Sequence, residues 1–450
     1  MNLLTLSKHH QTIQARCIQP INISSVNMNL VSSIVLGGGR GSRLYPLTHN
    51  RCKPAINFGG HYCLVDIPIS HSIHAGVHTI FVLTQFLSYP LHRHILQTYN
   101  NVNTRTNIEI LTAEQKPDSS SWFEGTADAV RHNIDVLTSC PVEYFLILSG
   151  DQLYNIDFKT MVAFSANIDV DVVIATLPIQ EEDAKRMGVL KINESHIITD
   201  FHEKPDSQAL LKKFNSQHWF TSNPQKDISS QKTHLGSMGI YLFKKQALIN
   251  ILKATQSIDF GKHLIPKIVD TGRAAAFIYD GYWEDIGTIQ SFYHANLDLT
   301  QKNPKFDFYH KDRPIYSYRS QLIPTKCSNT LVKNAILCEG CVIEGDEITH
   351  SIIGPKCMIH NGVIIRDSYL MGNDYYESPV IDHPNLPACP SIGENCMINR
   401  AIIDKNACLG KGVQLINKQN LTHYDSENIY VRDGIMIVPQ GAILPDGFIF

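Results

Sequence analysis

Short apolar runs separated by amphipathic stretches organise the chain from about Val31 to Asn296. Ser33-Ile-Val-Leu36, Ile80-Phe-Val-Leu83, Tyr144-Phe-Leu-Ile-Leu148 and Asp171-Val-Val-Ile-Ala-Thr176 are largely aliphatic and β-branched, the pattern of strands covered on both faces. Stretches such as Ala127 to Leu137 lie between them with helical spacing. The alternation predicts an α/β fold with a Rossmann-like, mostly parallel sheet and helices on both faces. A polar stretch at about Thr300 to Pro324, rich in Lys, Asp and Pro, reads as a linker.

Beyond it the period changes. Aliphatic residues recur at six-residue spacing: Leu331, Leu337, Ile343; Ile353, Ile359, Ile365; Ile392, Ile398; Ile403, Leu409, Leu415. This is the mark of a parallel β-helix, in which each coil buries one aliphatic per flat face and stacks on the next. Four residues after many of them comes a smaller side chain: Ala335, Cys341, Cys357, Val363, Cys396, Val413. The segment Tyr369 to Ser391 breaks the repeat and reads as an inserted loop. The expected divisions are 1–30 as an N-terminal extension, 31–300 as the α/β domain, 301–325 as the linker and 326–450 as the β-helix.

At 450 residues the chain suits two cores. A net charge of −3 and a pI near 6.7 exclude the dominant basic field of a nucleic-acid or membrane-surface binder, and point to small anionic partners. No run approaches the roughly 20 apolar residues of a membrane helix. The first 29 residues hold Lys8 and Arg16 but no acid; they read as a dispensable tail or a short targeting segment, with a cytoplasmic location placed ahead of a plastid one. Eleven scattered cysteines argue for a reducing compartment, and the CxxC at Cys338-Glu-Gly-Cys341 lacks a second pair at zinc-ribbon spacing. Cys341, Cys357 and Cys396 fill packing positions of the repeat.

The candidate chemistry begins right after the first buried run, in Leu36-Gly-Gly-Gly-Arg-Gly-Ser-Arg-Leu-Tyr-Pro-Leu-Thr-His-Asn-Arg-Cys-Lys-Pro54. Gly37, Gly38, Gly39 and Gly41 can turn backbone N–H groups toward phosphate oxygens, and Arg40, Arg43 and Lys53 supply charge. Neither a dinucleotide fingerprint nor a P-loop fits, because no Gly-Lys-Ser/Thr follows and no acidic residue lies at the usual distance. The string reads as a grip for a nucleoside triphosphate.

This string resembles the signature of sugar-1-phosphate nucleotidylyltransferases. Its continuation narrows the resemblance to the ADP-glucose pyrophosphorylases: Val65-Asp-Ile-Pro-Ile-Ser70, Val82-Leu-Thr-Gln-Phe86, Trp122-Phe-Glu-Gly-Thr-Ala-Asp-Ala-Val130, Ser149-Gly-Asp-Gln-Leu-Tyr154, Phe201-His-Glu-Lys-Pro205, Gly236-Ser-Met-Gly-Ile-Tyr241 and Tyr282-Trp-Glu-Asp-Ile-Gly-Thr288, in the family's order over nearly the entire chain. The resemblance implies a left-handed β-helix, a homotetramer, and synthesis of ADP-glucose from ATP and glucose 1-phosphate with Mg²⁺. It implies catalytic roles for Arg43, Lys53 and Asp151, and Mg²⁺ ligation by Asp151 and Asp285. Gln85, Trp122, Gly125 and Thr126, with the glycines of the loop, would hold the nucleotide. Gly188, Glu203, Lys204, Ser237 and Asp285 would hold the sugar phosphate.

Matches at Arg51, Arg93, His94 and Lys405 imply a site for a phosphorylated effector. The chain departs from the family there: Asn50-Arg-Cys-Lys-Pro54 replaces Lys-Arg-Ala-Lys-Pro, Tyr62-Cys63 replaces an aromatic-Arg pair, Ser70-His-Ser72 replaces Ser-Asn-Cys, and Gln440 stands where some relatives have Lys. Weak or altered activation is the expectation. The rival readings are a UDP- or dTDP-sugar pyrophosphorylase and a non-catalytic regulatory subunit.

Overall fold

The computed structural model describes residues 26–100, 102, 105–114, 122–222, 232–308, 310–318, 321–377 and 390–450. Most of the expected N-terminal extension and the centre of the expected inserted loop lie outside the described residues. The chain forms two compact units, one built from Met28–Phe158 with Gly281–Phe450, the other from Lys159–Asp280. The stretch expected as one α/β domain therefore contributes to both.

In the first unit, β1 (Val31–Leu36) pairs in parallel with β2 (Thr79–Thr84) and β4 (Tyr144–Ser149), and β2 pairs in parallel with β3 (Asn107–Thr112). Helix α1 (Asp66–Ala75) joins β1 to β2, α2 (Tyr89–Tyr99) joins β2 to β3, and α3 (Thr126–His132) lies before β4. The parallel pairs require such crossovers, and β1, β2 and β4 are buried nearly throughout, as their unbroken apolar runs predict. Leu36 lies level with Leu83 and Ser149, so the glycine loop, Gln85 and Asp151 all leave one carboxyl edge of the sheet. After β5 (Gln152–Tyr154) the chain enters the second unit.

That unit carries β6 (Val172–Ile179), β7 (Gly188–Ile192), β8 (Ile198–Glu203), β9 (His234–Lys244) and β10 (Ala274–Ile278). Only β6 and β10 pair in parallel; β8–β7, β7–β9 and β9–β6 are antiparallel. The β7–β8 connection is too short for a crossover, so a hairpin is forced there.

Returning to the first unit, β11 (Trp283–Asp285) pairs antiparallel with β5, and Thr288 caps helix α4 (Ile289–Asp298) in a reciprocal box with Ser291. The β-helix follows. Its three flat faces stack Ile343, Ile359, Ile392, Leu409 and Leu444; Ile348, Ile365, Ile398 and Leu415; and Leu337, Ile353, Leu370, Ile403 and Val438. Cys341, Cys357, Val363, Cys396 and Val413 are buried among them, and the described cysteines are free thiols.

Two expectations change. Leu331 is 63 % exposed and lies opposite Glu347, not Ile348. Strict six-residue counting places it inside because some corners take five residues, as from Ile343 to Ile348. The expected linker is also packed. Phe306 and Phe308 are buried in an aromatic cluster with Phe58, Tyr62 and Phe292, and Phe292 continues it to Tyr369 of the β-helix. Asn296 accepts the Gly59 N–H at 2.8 Å, and Tyr293 donates to the Asp367 carbonyl at 2.6 Å.

These positions separate in a stability test. Ile398→Ala, in the fully enclosed stack, should lower unfolding stability by about 3 kcal/mol, whereas Leu331→Ala should change it by less than about 0.5 kcal/mol. Denaturant titration checks both; equal losses would contradict the observed register.

Candidate active site

The carboxyl edge of the first unit's sheet brings together four of the expected residues. Lys53 opens a short 3-10 turn, and its Pro54 packs against Gly150 at the end of β4. The Lys53 ammonium reaches Asp151 Oδ2 at 2.7 Å and Asp285 Oδ1 at 3.2 Å, with only 9 % of the lysine side chain exposed. The Asp285 carboxylate also lies 4.0 Å from the Arg43 guanidinium, which is itself well exposed.

Local pairing explains how segments so far apart meet. In the β5–β11 ribbon Asp285 lies opposite Gln152, and the Ile286 N–H donates to the Asp151 carbonyl at 3.3 Å. Trp283 braces the ribbon from Nε1 to Gln152 Oε1 at 3.3 Å. The Ser149 hydroxyl donates to Asp151 Oδ1, leaving Oδ2 to Lys53.

Burial alone would lower the Lys53 pKa, but the Asp151 and Asp285 charges outweigh it and hold the pKa above its ordinary value. Burial likewise opposes ionisation of Asp151, and the Lys53 charge and hydrogen bond outweigh it, holding that pKa below the usual carboxylate range. The stabilisation from this cluster is thus complete between the ordinary carboxylate and lysine pKa values. It is lost as pH falls through the depressed Asp151 pKa or rises through the elevated Lys53 pKa.

The glycine loop divides by function. The Gly37 N–H donates to the Leu83 carbonyl at 2.8 Å, extending the sheet, so Gly37 does not offer that group to phosphate as expected. A Cβ on Gly39 would meet nothing, so its backbone borders open space. Gly41 takes a left-handed conformation with φ 64°, and a Cβ there would press within 3.1 Å of the Lys53 stem. Gln85 is tied to the turn that follows: its amide donates to the Phe123 carbonyl at 3.1 Å and accepts the Phe123 N–H at 2.5 Å. Base reading by Gln85 would use its remaining N–H and lone pair. Trp122 is 66 % exposed and is not part of the core. Gly125 caps α3, whose first residue is Thr126.

Of the expected sugar-side residues, Gly188, Glu203, Lys204 and Ser237 lie in the second unit, and Asp285 lies in the first. Glu203 lies opposite Gly188 in the β7–β8 pair, and its carboxylate would sit 2.7 Å from a Cβ on Gly188 and 2.8 Å from one on Gly261. Burial and the nearby Asp259 raise the Glu203 pKa, against the opposing charge of Lys204. Lys204 projects to solvent with Nζ 3.9 Å from Glu203 Oε1, while its backbone is held at φ 50° and its N–H donates to the Met187 carbonyl at 3.0 Å. A lysine kept in the left-handed region costs about 1 kcal/mol or more, a strain typical of positioned ligand-binding residues. Ser237 accepts the Gly239 N–H at 3.3 Å and bonds the buried Tyr241.

The chemistry of the donors fits a hard divalent cation. Asp151 and Asp285 both reach one ammonium, so both can reach one ion, and phosphate oxygens would complete the oxygen shell. No cluster of three His, Cys, Asp or Glu side chains suited to a metal occurs among the described residues.

A family model described as nucleotidyl transferase matches residues 32–302, and the GLGC left-handed parallel beta-helix domain matches residues 320–449. The chain belongs to the nucleotidyl transferase family. The two domains in this order are the architecture of the ADP-glucose pyrophosphorylases, so the protein is a sugar-phosphate nucleotidyltransferase of that type, acting on a nucleotide and a sugar phosphate. Family members typically use a divalent metal. No helix among the described residues is long and apolar enough to cross a membrane.

Measured against that family, the four expected effector cations are mostly occupied. Arg51 is buried, donates to the Leu47 carbonyl at 3.0 Å and grips both oxygens of Asp404. His94 pairs with the buried Asp66 at 2.7 Å, and Lys405 with Asp374 at 2.8 Å. Burial would lower the His94 pKa, but the Asp66 carboxylate beside it raises it well above the ordinary value. Arg93 is exposed. Asp404, Asp66 and Asp374 were not legible as counter-ions from the sequence, and neither were Ser149 and Gly287 as neighbours of the reaction centre.

Gly287 gives a direct test. A Cβ there would stand 2.8 Å from Asp285 Oδ2 and 2.9 Å from Arg43 Nη2. Gly287→Ala should lower kcat roughly tenfold or more by displacing these groups, with little change in melting temperature; unchanged kcat would show that the close approach has no catalytic consequence.

Proposed function

We propose that the protein is a glucose-1-phosphate adenylyltransferase, converting ATP and α-D-glucose 1-phosphate into ADP-glucose and diphosphate, and so supplying a glucosyl donor for glycogen or starch synthesis. The observation that carries the reading is the convergence of Lys53, Arg43, Asp151 and Asp285 at one sheet edge. A non-catalytic regulatory subunit has no need of that set.

Both substrates are anions, so the barrier is lowered by placement and charge compensation, not by a covalent enzyme intermediate. An oxygen of the sugar phosphate attacks the α-phosphorus, and the bond from that phosphorus to the diphosphate oxygen breaks. The leaving diphosphate takes the electron pair. Arg43, exposed and forked, would clasp the outer phosphates, and Lys53 would meet charge developing on the diphosphate. Asp151 and Asp285 would hold Mg²⁺, which when bound offsets phosphate charge. Glu203 would accept hydroxyl hydrogens of glucose, and Lys204 would bind the sugar phosphate.

Diphosphate release by the purified chain with glucose 1-phosphate and ATP, UTP or dTTP tests the reading. ATP should be the preferred nucleotide. Preference for UTP or dTTP would assign it to the sister enzymes, and no release with any of them would favour a regulatory subunit. Lys204→Ala should raise the KM for glucose 1-phosphate roughly tenfold or more while changing that for ATP less than about twofold; equal effects would remove Lys204 from the sugar-phosphate site.

A further inference from the structure

Arg43 stands in the short 3-10 turn Ser42–Leu44, which Gly41 opens and Tyr45 closes by donating its N–H to the Ser42 carbonyl at 3.2 Å. One flank of this turn is anchored in the core: Leu44 and Leu47 are buried, and the Thr48 hydroxyl donates to the Gly41 carbonyl at 3.0 Å. The other flank is Tyr45, which reaches the surface. The Arg43 side chain is itself 68 % exposed, so its guanidinium is only as well placed as the turn that carries it.

Tyr45 is met there by a residue of the β-helix. Tyr430, 385 positions later in the same unit, packs edge to face with it: the ring centroids lie 5.6 Å apart at an interplanar angle of 88°, and the hydroxyl oxygens lie 3.4 Å apart. This is the favoured geometry for an aromatic pair. His49 meets the Tyr45 ring as well, at 5.8 Å.

Tyr430 is a firm support. It opens the strand Tyr430–Arg432, which pairs antiparallel with Ile435–Val438 on one side and His423–Asp425 on the other. Its neighbours Ile429 and Val431 are buried in the β-helix core. Arg432 lies 5.7 Å over the Tyr430 ring and is held in turn by Asp425 at 2.6 Å.

We propose that Tyr430 is a positioning residue for phosphate binding: through Tyr45 it holds the Gly41–Tyr45 turn, and with it Arg43, in the arrangement that receives the outer phosphates of the nucleotide. The inference rests on the placement of Arg43 at those phosphates in the reading above. A loose turn would have to be ordered as the ligand binds, and a braced one has met that cost on folding. The β-helix thereby contributes to the nucleotide side of the reaction centre.

The test is calorimetric titration of the full chain with inorganic tripolyphosphate, which carries the phosphates without base or sugar and needs no turnover. Tyr430→Ala should weaken binding about threefold to tenfold, whereas Tyr430→Phe, which keeps the ring, should change it less than about twofold. In an Arg43→Ala background the same Tyr430→Ala change should cost less than about twofold, because its effect passes through Arg43. A general loss of packing would weaken both backgrounds alike. Tyr430→Leu keeps apolar bulk in the hairpin and should show the loss even if the alanine variant folds poorly. Undiminished binding by a normally melting Tyr430→Ala or Tyr430→Leu protein, or equal losses with and without Arg43, would overturn this inference alone. No binding by the unaltered protein, or binding that Arg43→Ala leaves unchanged, would overturn it together with the placement of Arg43.

Discussion

One buried ammonium between two carboxylates organises the reaction centre. Lys53 comes from the loop after β1, Asp151 from the end of β4 and Asp285 from β11, and each segment alone would be an ordinary turn or strand end. Without the lysine, Asp151 and Asp285 would face each other across a partly enclosed space, and repulsion would force one to take up a proton or move away. Removing a partner from such a pair typically costs about 3–5 kcal/mol, because the remaining charge is stranded. The clamp therefore makes the placement of two candidate metal ligands a consequence of folding. Ser149, Gly150 and Gly287 serve it by fixing one carboxylate oxygen and by letting backbone and guanidinium approach closely.

The same principle, charge balanced within the chain, operates differently around Arg51, His94 and Lys405. Around Lys53 the cation is shared by carboxylates that are themselves suited to a metal and to substrate chemistry. Around Arg51 and His94 the acids are buried counter-ions, and the cations they neutralise are integral to the packing between α1, α2 and the β-helix. Lys405 lies between these cases, because its acid sits on an accessible loop.

Much of the fold was legible because its signals are local. Unbroken apolar runs mark β1, β2 and β4, and regular aliphatic spacing marks the β-helix, since both depend on which side chains must leave water. Leu331 escaped that logic because the five-residue corners depend on coil geometry, which six-residue counting ignores. The linker escaped it because Phe306 and Phe308 are isolated apolar residues in a polar stretch, and only the aromatic cluster at Phe58 and Phe292 reveals where they go. At the site, the strings around Lys53, Asp151 and Asp285 were legible, yet the use of the Gly37 N–H and of both ends of the Gln85 amide within the protein was not. Those are long-range bonds, as are the pairings of Arg51, His94 and Lys405 with their acids.

The central claim is that Lys53 holds Asp151 ionised and in place before any ligand arrives. Following the Asp151 side-chain carboxyl by carbon-13 NMR through an acid titration of the ligand-free protein tests it most directly. The account predicts a carboxylate that stays ionised below the usual aspartate range, and that titrates higher once Lys53 is replaced by Gln. An Asp151 that titrates in or above the ordinary range in the unaltered protein, or that is indifferent to Lys53, would contradict it.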